Sequence, residues 1–315
     1  MCLAAIVCAV QANSVKFAPA GRDCQRLARA LCSRFMVDIH CQILPGLDDG
    51  AQDMEISLQM AESAIAEGIT HVIGTPHANS NYAFIPELIR ERTNELQSRL
   101  DGRLTLATGC DFHLSYDNLL DIRDNLHKYT LNQKKYLLVE FADYSIPPTI
   151  DQNLHQLHLA GLWPIVTHPE RNPLIRANPE KLLQWLQQGC YIQVTAQSFL
   201  GRFGPGAQET AEMLLGHNCI HFVASDAHNV TSRPLKLREA YTRVTELRDQ
   251  KVAEALFTAN PRAAFNGEPL PYTPELPEKL DDRRAHAVSH RHQDSASHPG
   301  AAGDPPKRRK RFWFF

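Results

Sequence analysis

The sequence WPIVTHPERN at residues 163–172 is a short apolar run that ends in a histidine, a proline and a charged turn. The run is too short for a helix and is rich in β-branched residues, which predicts a buried strand. Pro169 ends the strand and restricts the turn that follows. His168 is therefore expected at the C-terminal edge of this strand, with Arg171 just beyond it.

The same pattern recurs along the chain. Six further strands are predicted, in residues 36–40, 71–77, 104–111, 136–140, 191–195 and 221–228. Of the seven strands, all except the one that ends at Thr195 finish in a residue type that binds metals: His40, His77, Asp111, Glu140, His168 and the pair Asp226/His228. Because the C-terminal ends of the strands in a parallel α/β barrel converge on one site, the pattern predicts a metal centre.

Composition limits the class of protein. The 315 residues suit one large domain or two small ones, and 43% hydrophobic content is ordinary for a soluble globular chain. A formal net charge of -2 argues against an electrostatic nucleic-acid binder, and we expect no nucleic-acid partner. The eight cysteines form no CxxC pair, which argues against a zinc ribbon or a thioredoxin motif. Scattered cysteines favour a reducing compartment, so a cytoplasmic location is predicted.

Residues 36–270 alternate strands with amphipathic stretches. Helices are predicted at residues 57–67, 86–100, 150–160, 179–188 and 209–215, most of them followed by a glycine. Alternating strands and helices favour an α/β fold with a parallel sheet, and seven such units favour a closed or nearly closed barrel. The sequence has no apolar stretch of about 18 residues or more, so we expect no membrane span.

The two ends of the chain differ from this domain. Residues 1–35 lack the basic start of a signal peptide, and we favour an over-extended start with Met36 as the functional first residue over a basic amphipathic helix at residues 22–34. Residues 271–315 are rich in Pro, Ser, His and charge, which predicts a disordered tail. The tail closes with KRRKRFWFF at residues 307–315, a cluster that binds an acidic membrane surface or an acidic partner, or else has no role.

The polar residues at the strand ends form a mixed histidine and carboxylate set. His40 and Gln42 are two positions apart on a strand and so point to one face, and the turn at residues 44–50 delivers Asp49. The predicted metal ligands are His40, Gln42, Asp49, His77, Asp111, Glu140, His168, Asp226 and His228. A cluster of this size can hold two or three divalent ions, and its oxygen and nitrogen donors suit manganese, iron or zinc. Four other histidines (71, 113, 217 and 221) are interpreted as ordinary hydrogen-bonded residues.

Two arginines lie beside this set, Arg171 after His168 and Arg233 after His228. Guanidinium groups bind phosphate oxygens in bidentate fashion, so metals together with arginines predict hydrolysis of a phosphate ester. The alternative is that each arginine forms a surface salt bridge. A cysteine-dependent phosphatase is not predicted, because no cysteine has an arginine six positions later.

The segments HCQILPGLDDGA, GTPH, LLVEF, THPERN, QVTAQSFLGRFG and ASDAHN followed by SRP resemble the polymerase-and-histidinol-phosphatase (PHP) superfamily. Within it they resemble the manganese-dependent bacterial protein-tyrosine phosphatases of capsular and extracellular polysaccharide systems. The resemblance covers about residues 36–267. It implies a distorted seven-stranded (β/α) barrel, a phosphotyrosyl substrate on a tyrosine autokinase, and phosphate contacts from Arg171 and Arg233, with Asp226 also at the catalytic centre. The ligand positions that it implies are His40, Asp49, His77, Asp111, Glu140, His168, Asp226 and His228.

The sequence departs from that family at two positions. The first motif of the family is normally His-x-His, whereas this chain has Gln42 at its second position, and the family usually has Glu where this chain has Asp111. A neutral amide is a poorer ligand than imidazole for these metals. Two alternatives stand beside a tyrosine phosphatase. The shared barrel motifs also fit a PHP phosphoesterase acting on a small phosphomonoester, and Gln42 favours a degenerate barrel that binds a kinase or metal without turnover.

Overall fold

The computed structural model of the protein describes residues 35–142 and 145–280. Nine parallel strands alternate with helices, which confirms the predicted α/β fold with parallel sheets. The strands are β1 (Met36–Cys41), β2 (Ile69–Gly74), β3 (His77–Ala78), β4 (Thr105–Thr108), β5 (Asp111–His113), β6 (Tyr136–Glu140), β7 (Trp163–Thr167), β8 (Tyr191–Thr195) and β9 (Phe222–Ala224). The helices are α1 (Met54–Glu67), α2 (Pro86–Ser98), α3 (Tyr116–Asp124), α4 (Ile150–Leu159), α5 (Pro173–Ala177), α6 (Glu180–Gln187), α7 (Pro205–Gly216), α8 (Arg238–Leu247), α9 (Gln250–Glu254) and α10 (Asn260–Asn266).

The strands form two sheets that lie edge to edge. One sheet has the order β1-β2-β4 and the other has the order β3-β5-β6-β7-β8-β9. At one junction an isolated parallel bridge joins Cys41 to Ala227, just beyond β9. At the other junction the chain itself crosses between the sheets, from β2 into β3 and from β4 into β5. The sheets are thus joined by a main-chain bridge at one junction and by two crossing segments at the other.

Two of the predicted strands are each divided in the structure. The predicted strand at residues 71–77 is split into β2 and β3, and the predicted strand at residues 104–111 is split between β4 and β5. Pro76 lies between β2 and β3 and has no N–H group for a ladder hydrogen bond. Gly109 lies in the second break, where an added Cβ would approach Leu131 to 2.7 Å. Each break passes the chain from one sheet to the other.

Helix ends follow local sequence signals. Asp53 caps α1 by accepting a hydrogen bond from the Ile56 amide at 2.9 Å, and Gly68 ends this helix in the left-handed conformation that the sequence predicted. Asn172 caps α5, because its side-chain oxygen accepts from the amides of Leu174 and Ile175. This cap follows β7 directly, so it fixes the turn that carries His168.

The N-terminal ends of β6 to β9 are apolar and aromatic. The Tyr136 ring lies 4.8 Å from the Trp163 ring and 6.0 Å from the Phe222 ring, measured between centroids. Ala263 and Ala264 of α10 belong to the same buried cluster. This end of the strands is therefore filled by packed side chains, whereas the opposite end is left for polar residues.

Residues 271–280, placed by the sequence in the disordered tail, contact the domain: the Tyr272 amide donates to Asn260 Oδ1 at 3.1 Å, and the Leu280 amide donates to Glu180 Oε1 at 3.0 Å. The rest of the predicted tail, with its basic and aromatic cluster, and the predicted N-terminal extension up to residue 34 lie outside the described residues. Among the helices of the described residues, none has the length and apolar character needed to span a membrane.

Candidate metal centre

The strand ends bring the predicted ligands together. His77 and Asp111 are direct partners in the parallel ladder between β3 and β5. The main chains of His40 and Asp226 are joined by a hydrogen bond of 2.9 Å between the Asp226 amide and the His40 carbonyl. Asp49 reaches the same place from the loop after β1. Of the predicted histidine and carboxylate ligands, Asp49 is exposed, Glu140 is half-buried and the others are buried.

These side chains form three overlapping groups of potential metal ligands. In each group the ligand atoms lie within 4.8 Å of one another. The groups are His40, Asp111 and His168; then His77, Asp111 and Glu140; then Asp49, His77 and His228. Asp111 and His77 each belong to two groups, so the three groups form one continuous centre.

Asp111 lies in the middle of this centre. Its Oδ2 atom is 3.3 Å from His40 Nε2, 3.4 Å from His77 Nδ1 and 4.0 Å from His168 Nε2. Both carboxylate oxygens are buried and have no hydrogen-bond partner in the described part of the chain, and His40 Nε2 and His77 Nδ1 are in the same condition. Buried polar atoms without partners are costly, so such a concentration marks a functional site. Divalent cations would satisfy all of these atoms, and the residues therefore fit a metal centre.

Hydrogen bonds on the far side of two imidazole rings fix their orientation. His40 Nδ1 lies 2.9 Å from Gln193 Oε1, and His228 Nδ1 lies 3.0 Å from the Asp226 carbonyl oxygen. Each contact leaves Nε2 facing the carboxylates, as in metal sites where a second partner sets the ring orientation. The sequence pattern drew attention to Thr195 in β8 and missed Gln193, although a glutamine between apolar strand residues was the available signal.

The four histidines of the centre differ in pKa, and nearby carboxylates raise the pKa of two of them. Burial would lower the pKa of His40, but Asp111 and Asp226 outweigh it and raise the pKa to about 9. Burial is likewise outweighed at His77, where Asp49, Asp111 and Glu140 raise the pKa to about 10.

The other two rings behave in the opposite way. Burial, helped by Arg171, holds the pKa of His168 below its usual range, and burial lowers the pKa of His228 to about 4. Without metal the centre therefore contains two protonated and two neutral imidazoles near pH 7.

Asp226 connects the centre to the two predicted arginines. Its Oδ2 atom accepts hydrogen bonds from the guanidinium groups of both Arg171 and Arg233. Its Oδ1 atom lies 3.4 Å from His40 Nε2 and 3.7 Å from His228 Nδ1. Burial would raise the pKa of Asp226, but Arg171, His40 and Arg233 outweigh it, so the carboxylate stays ionised. The arginines are thus half-buried at the edge of the centre rather than in isolated surface salt bridges.

Phe203 supports the same two arginines. The central carbon of the Arg171 guanidinium lies 4.5 Å from the Phe203 ring centroid, and that of Arg233 lies 6.0 Å from it. Arg233 Nε is buried and has no acceptor among the described residues. Both guanidinium groups are therefore held beside the centre with donor capacity to spare.

The turn after β7 is anchored by a buried glutamate. Glu170 Oε1 accepts hydrogen bonds from the Thr195 amide at 3.0 Å and from Ser198 Oγ at 2.7 Å. His168 and Asp226 adopt left-handed backbone conformations, with φ of 33° and 50°. Such conformations are uncommon for residues other than glycine and cluster at functional sites. Glu170 is not among the site residues predicted from the sequence, because a charged residue in a turn is usually exposed.

Gln42 is buried, and its amide nitrogen donates to the Thr75 carbonyl at 3.3 Å. Its Oε1 atom has no hydrogen-bond partner within the described residues. Gly50 covers this residue closely, since a Cβ added at Gly50 would lie 2.4 Å from Gln42 Cβ. The amide oxygen is thus the atom that Gln42 can offer to a cation.

A pocket of ≈ 450 Å³ opens beside the centre. Glu140, His168 and Arg171 line one part of it, and Phe141, Arg176 and Phe203 line another. A substrate in this pocket would therefore touch both the metal ligands and an arginine.

The cysteines of the described residues do not form a nucleophilic site. Cys41, Cys110, Cys190 and Cys219 are free and buried. Burial holds the pKa of the Cys41 thiol well above its usual range, so it is not a thiolate near neutral pH. This agrees with the prediction that the chain is not a cysteine-dependent phosphatase.

Comparison with known proteins gives consistent results. Tyrosine-protein phosphatase YwqE of Bacillus subtilis (strain 168) is 39% identical over 209 residues, which are 65% of this chain and 82% of YwqE. Tyrosine-protein phosphatase CpsB of Streptococcus pneumoniae is 28% identical over 239 residues, covering 72% of this chain and 97% of CpsB.

A crystal structure determined in a study of B. subtilis YwqE and S. pneumoniae CpsB, described there as unique metal-dependent tyrosine phosphatases, matches with a TM-score of 0.71. The match has 34% identity and covers 78% of this chain and 100% of the matched chain. The family model "Capsular polysaccharide synthesis, CpsB/CapC" matches residues 36–266. The ordered strand-end ligands, the arginines beside them and these similarities lead to one conclusion: the chain belongs to the CpsB/CapC family of capsular polysaccharide synthesis.

Proposed function

We propose that this protein is a metal-dependent phosphatase that hydrolyses phosphotyrosine on a protein, namely a tyrosine autokinase of polysaccharide biosynthesis. The observation that carries this proposal is the continuous centre around Asp111, which lies beside a pocket lined by Arg171. Relatives that are named tyrosine-protein phosphatases support the choice of phosphotyrosine.

We propose that the centre holds two or three divalent cations, with manganese as the first choice and iron or zinc as alternatives. The mixture of imidazole nitrogens and carboxylate oxygens suits these ions. The proposed ligands are His40, Gln42, Asp49, His77, Asp111, Glu140, His168, Asp226 and His228. When bound, the cations supply an activated water molecule and charge stabilisation at the phosphoryl group.

The protein side chains bind and orient the phosphate group. Arg171 and Arg233 are proposed to hold its non-bridging oxygens, since each uses one N–H group on Asp226 and keeps others free. Arg233 Nε, buried and without an acceptor in the described residues, would donate to such an oxygen. Phe203 keeps both guanidinium planes in place from the other side. Asp226 is proposed to balance their charge and to hold them at a fixed distance from the centre.

Three finer features belong to the same proposal. If β2 with β3 and β4 with β5 are each counted as one strand, the two sheets correspond to a distorted seven-stranded barrel, supported by the Cys41 to Ala227 bridge and by the passage of both segments from one sheet to the other. A cytoplasmic location is supported by the free cysteines of the described residues. Membrane contact through residues 305–315 stays a prediction, and deletion of this segment should weaken binding to acidic vesicles.

The test uses the full chain after treatment with a chelator. We expect turnover of a phosphotyrosyl peptide to disappear on chelation and to return with Mn²⁺, with at least two metal ions bound per chain. Activity that is indifferent to chelators would refute the proposal.

Two comparisons separate the alternatives. Faster turnover of histidinol phosphate than of the phosphotyrosyl peptide would favour a small-molecule phosphoesterase. A protein that is inactive with metal but gains turnover from Gln42→His would be the degenerate binding protein.

A further inference from the structure

The pocket beside the metal centre has one cationic lining residue, Arg176, that the proposed chemistry does not use. Besides Glu140 and His168 of the centre, its charged lining residues are Arg171 and Arg176. The single acidic residue among the described lining residues is Glu140, which is already committed to the centre. The remaining walls are neutral or positive, and a pocket with such walls attracts negatively charged ligands.

Arg176 is the charged lining residue that forms no ion pair with a described residue. Six other arginines form ion pairs with carboxylates: Arg92, Arg99, Arg103, Arg171, Arg233 and Arg243. Within the described ranges, 35–142 and 145–280, no carboxylate lies within ion-pairing distance of Arg176. Its side chain is half-buried, so its position is restricted although its charge is not balanced.

The surroundings of Arg176 hold it in place. It belongs to α5, which Asn172 caps directly after the turn that carries His168 and Arg171. Its guanidinium group lies against the start of α7, where a Cβ added at Gly206 would be 2.8 Å from Nη1 of Arg176. A larger residue than glycine at position 206 would displace this group. Arg176 is thus positioned by the same short segment that positions Arg171, and it faces the same pocket.

We propose that Arg176 is a specificity-determining residue that binds a second oxyanion group on the substrate, close to the phosphotyrosine. The inference rests on the proposed phosphatase function, in which Arg171 and the metal centre hold the phosphate that is removed. The second group is a carboxylate of a neighbouring Asp or Glu, or the phosphate of a neighbouring phosphotyrosine. Both present the oxygen pair that a guanidinium group binds in bidentate geometry.

The experiment compares kcat/KM for three phosphotyrosyl peptides that differ only beside the phosphotyrosine, where they carry Glu, Gln or a second phosphotyrosine. p-Nitrophenyl phosphate serves as a fourth substrate, because it has no second group. The variants are Arg176→Gln and, as a matched control, Arg90→Gln. Arg90 is an exposed arginine of α2 that is outside the pocket lining and forms no ion pair with a described residue.

We expect the wild-type protein to prefer the Glu or the doubly phosphorylated peptide over the Gln peptide by about threefold to tenfold, the range between a partly exposed ion pair and a charge-assisted hydrogen bond. Arg176→Gln should remove this preference through KM, while kcat and the turnover of p-nitrophenyl phosphate stay unchanged. Arg90→Gln should keep it. Which of the two acidic peptides shows the preference identifies the oxyanion.

Three results would overturn the inference: a wild-type protein without preference, an Arg176→Gln variant that retains it, or an equal loss for all four substrates. Binding of a non-hydrolysable phosphonate version of each peptide, followed by fluorescence anisotropy, separates this inference from the proposed function. Loss of the binding preference in Arg176→Gln supports the inference even if turnover is absent. Turnover without any preference supports the phosphatase and refutes the role of Arg176.

Discussion

The two ends of the parallel strands are built from opposite kinds of residue. At the N-terminal ends, the rings of Tyr136, Trp163 and Phe222 pack together, and the Tyr136 hydroxyl donates to the Glu268 carbonyl at 2.8 Å. At the C-terminal ends, Asp111 keeps both oxygens buried without a hydrogen bond from any described residue, beside two imidazoles in the same condition. The N-terminal ends are filled by packed rings, whereas the C-terminal ends keep several buried polar atoms without a partner among the described residues.

This difference shows that residues at one end of the strands mainly stabilise the fold, whereas residues at the other end form the candidate site. Each buried polar atom without a partner costs about 1–3 kcal/mol. Aromatic packing at the opposite end supplies burial of large side chains, each of which stabilises the fold by a comparable or larger amount. Substitutions at the C-terminal ends are therefore expected to change activity, and substitutions at the N-terminal ends to change stability.

The largest effect is expected from Asp111→Asn, which keeps the shape of the side chain and removes its charge. Because Asp111 belongs to two of the three groups, we expect kcat/KM to fall on the order of 10³-fold, beyond the roughly 10–100-fold that loss of an orienting partner costs. Metal content should fall by at least one ion, with the circular dichroism spectrum unchanged. Asp117→Asn, on the exposed surface of α3, is the control. Full activity of the Asp111 variant would remove this residue from the centre.

At the opposite end, Phe222→Ala should lower the free energy of unfolding by about 3–4 kcal/mol, because it leaves a cavity among packed rings. Urea unfolding followed by tryptophan fluorescence measures this change. Phe222→Leu, which fills more of the space, should cost less. Metal content and turnover should stay near the wild-type values in the folded fraction. A large loss of metal from a folded Phe222→Ala protein would show that the two ends are not separate.

A smaller effect is expected from Arg233→Lys. The lysine keeps the charge but loses the fork of donors, including the buried Nε, so we expect kcat/KM to fall by about 10- to 100-fold. Metal content, measured by plasma emission spectroscopy, should not change. If metal is lost together with activity, Arg233 holds the metal ligands in place and is not a phosphate-binding residue.

The smallest effect concerns pH. In the metal-free protein His40 and His77 keep their protons up to pKa values of about 9 and 10, whereas His228, with a pKa of about 4, is already neutral. Metal binding needs neutral rings, so it should release protons at pH 7.5. For each proton that is released, the affinity for metal should rise by about tenfold per pH unit up to about pH 9. Calorimetric titration of Mn²⁺ in HEPES and in Tris measures the released protons. Identical apparent enthalpies in both buffers would contradict this prediction.

The stability of the metal-free protein depends on pH in the opposite direction. Because the folded-state pKa values of His40 and His77 lie above their ordinary value of 6.5, their contribution is fully present below pH 6.5 and is lost as the pH rises through 9 to 10. Added metal should thus stabilise the protein most at high pH.

The sequence predicted that these side chains lie close together, because they follow a rule that is local in sequence. Each of His40, Glu140 and His168 lies at or just after the C-terminal end of its own strand, and parallel pairing alone brings such ends together. The sequence could therefore predict which side chains lie near one another without knowing any distance. The proposed roles of the members remain to be tested by the variants above.

Other parts of the structure could not be predicted in this way. The breaks at Pro76 and Gly109 depend on how two sheets meet, and Gln193 and Glu170 act through partners 153 and 25 or more residues away in the chain. The Phe203 ring contacts two arginines, and only the fold brings their guanidinium groups to it. Such contacts are long-range, and no local periodicity reports them.

The sharing of Asp111 and His77 between groups has a consequence for how the protein is loaded. A carboxylate carries one charge, and a neutral imidazole has one nitrogen with a free lone pair while the other carries the proton, so ions that use the same residue cannot bind independently. Occupancy of one position changes the affinity of the next, in either direction, and a binding isotherm for independent sites should fail to describe the titration. The protein is then expected to fill stepwise, with its activity following the last ion bound and not the total metal content.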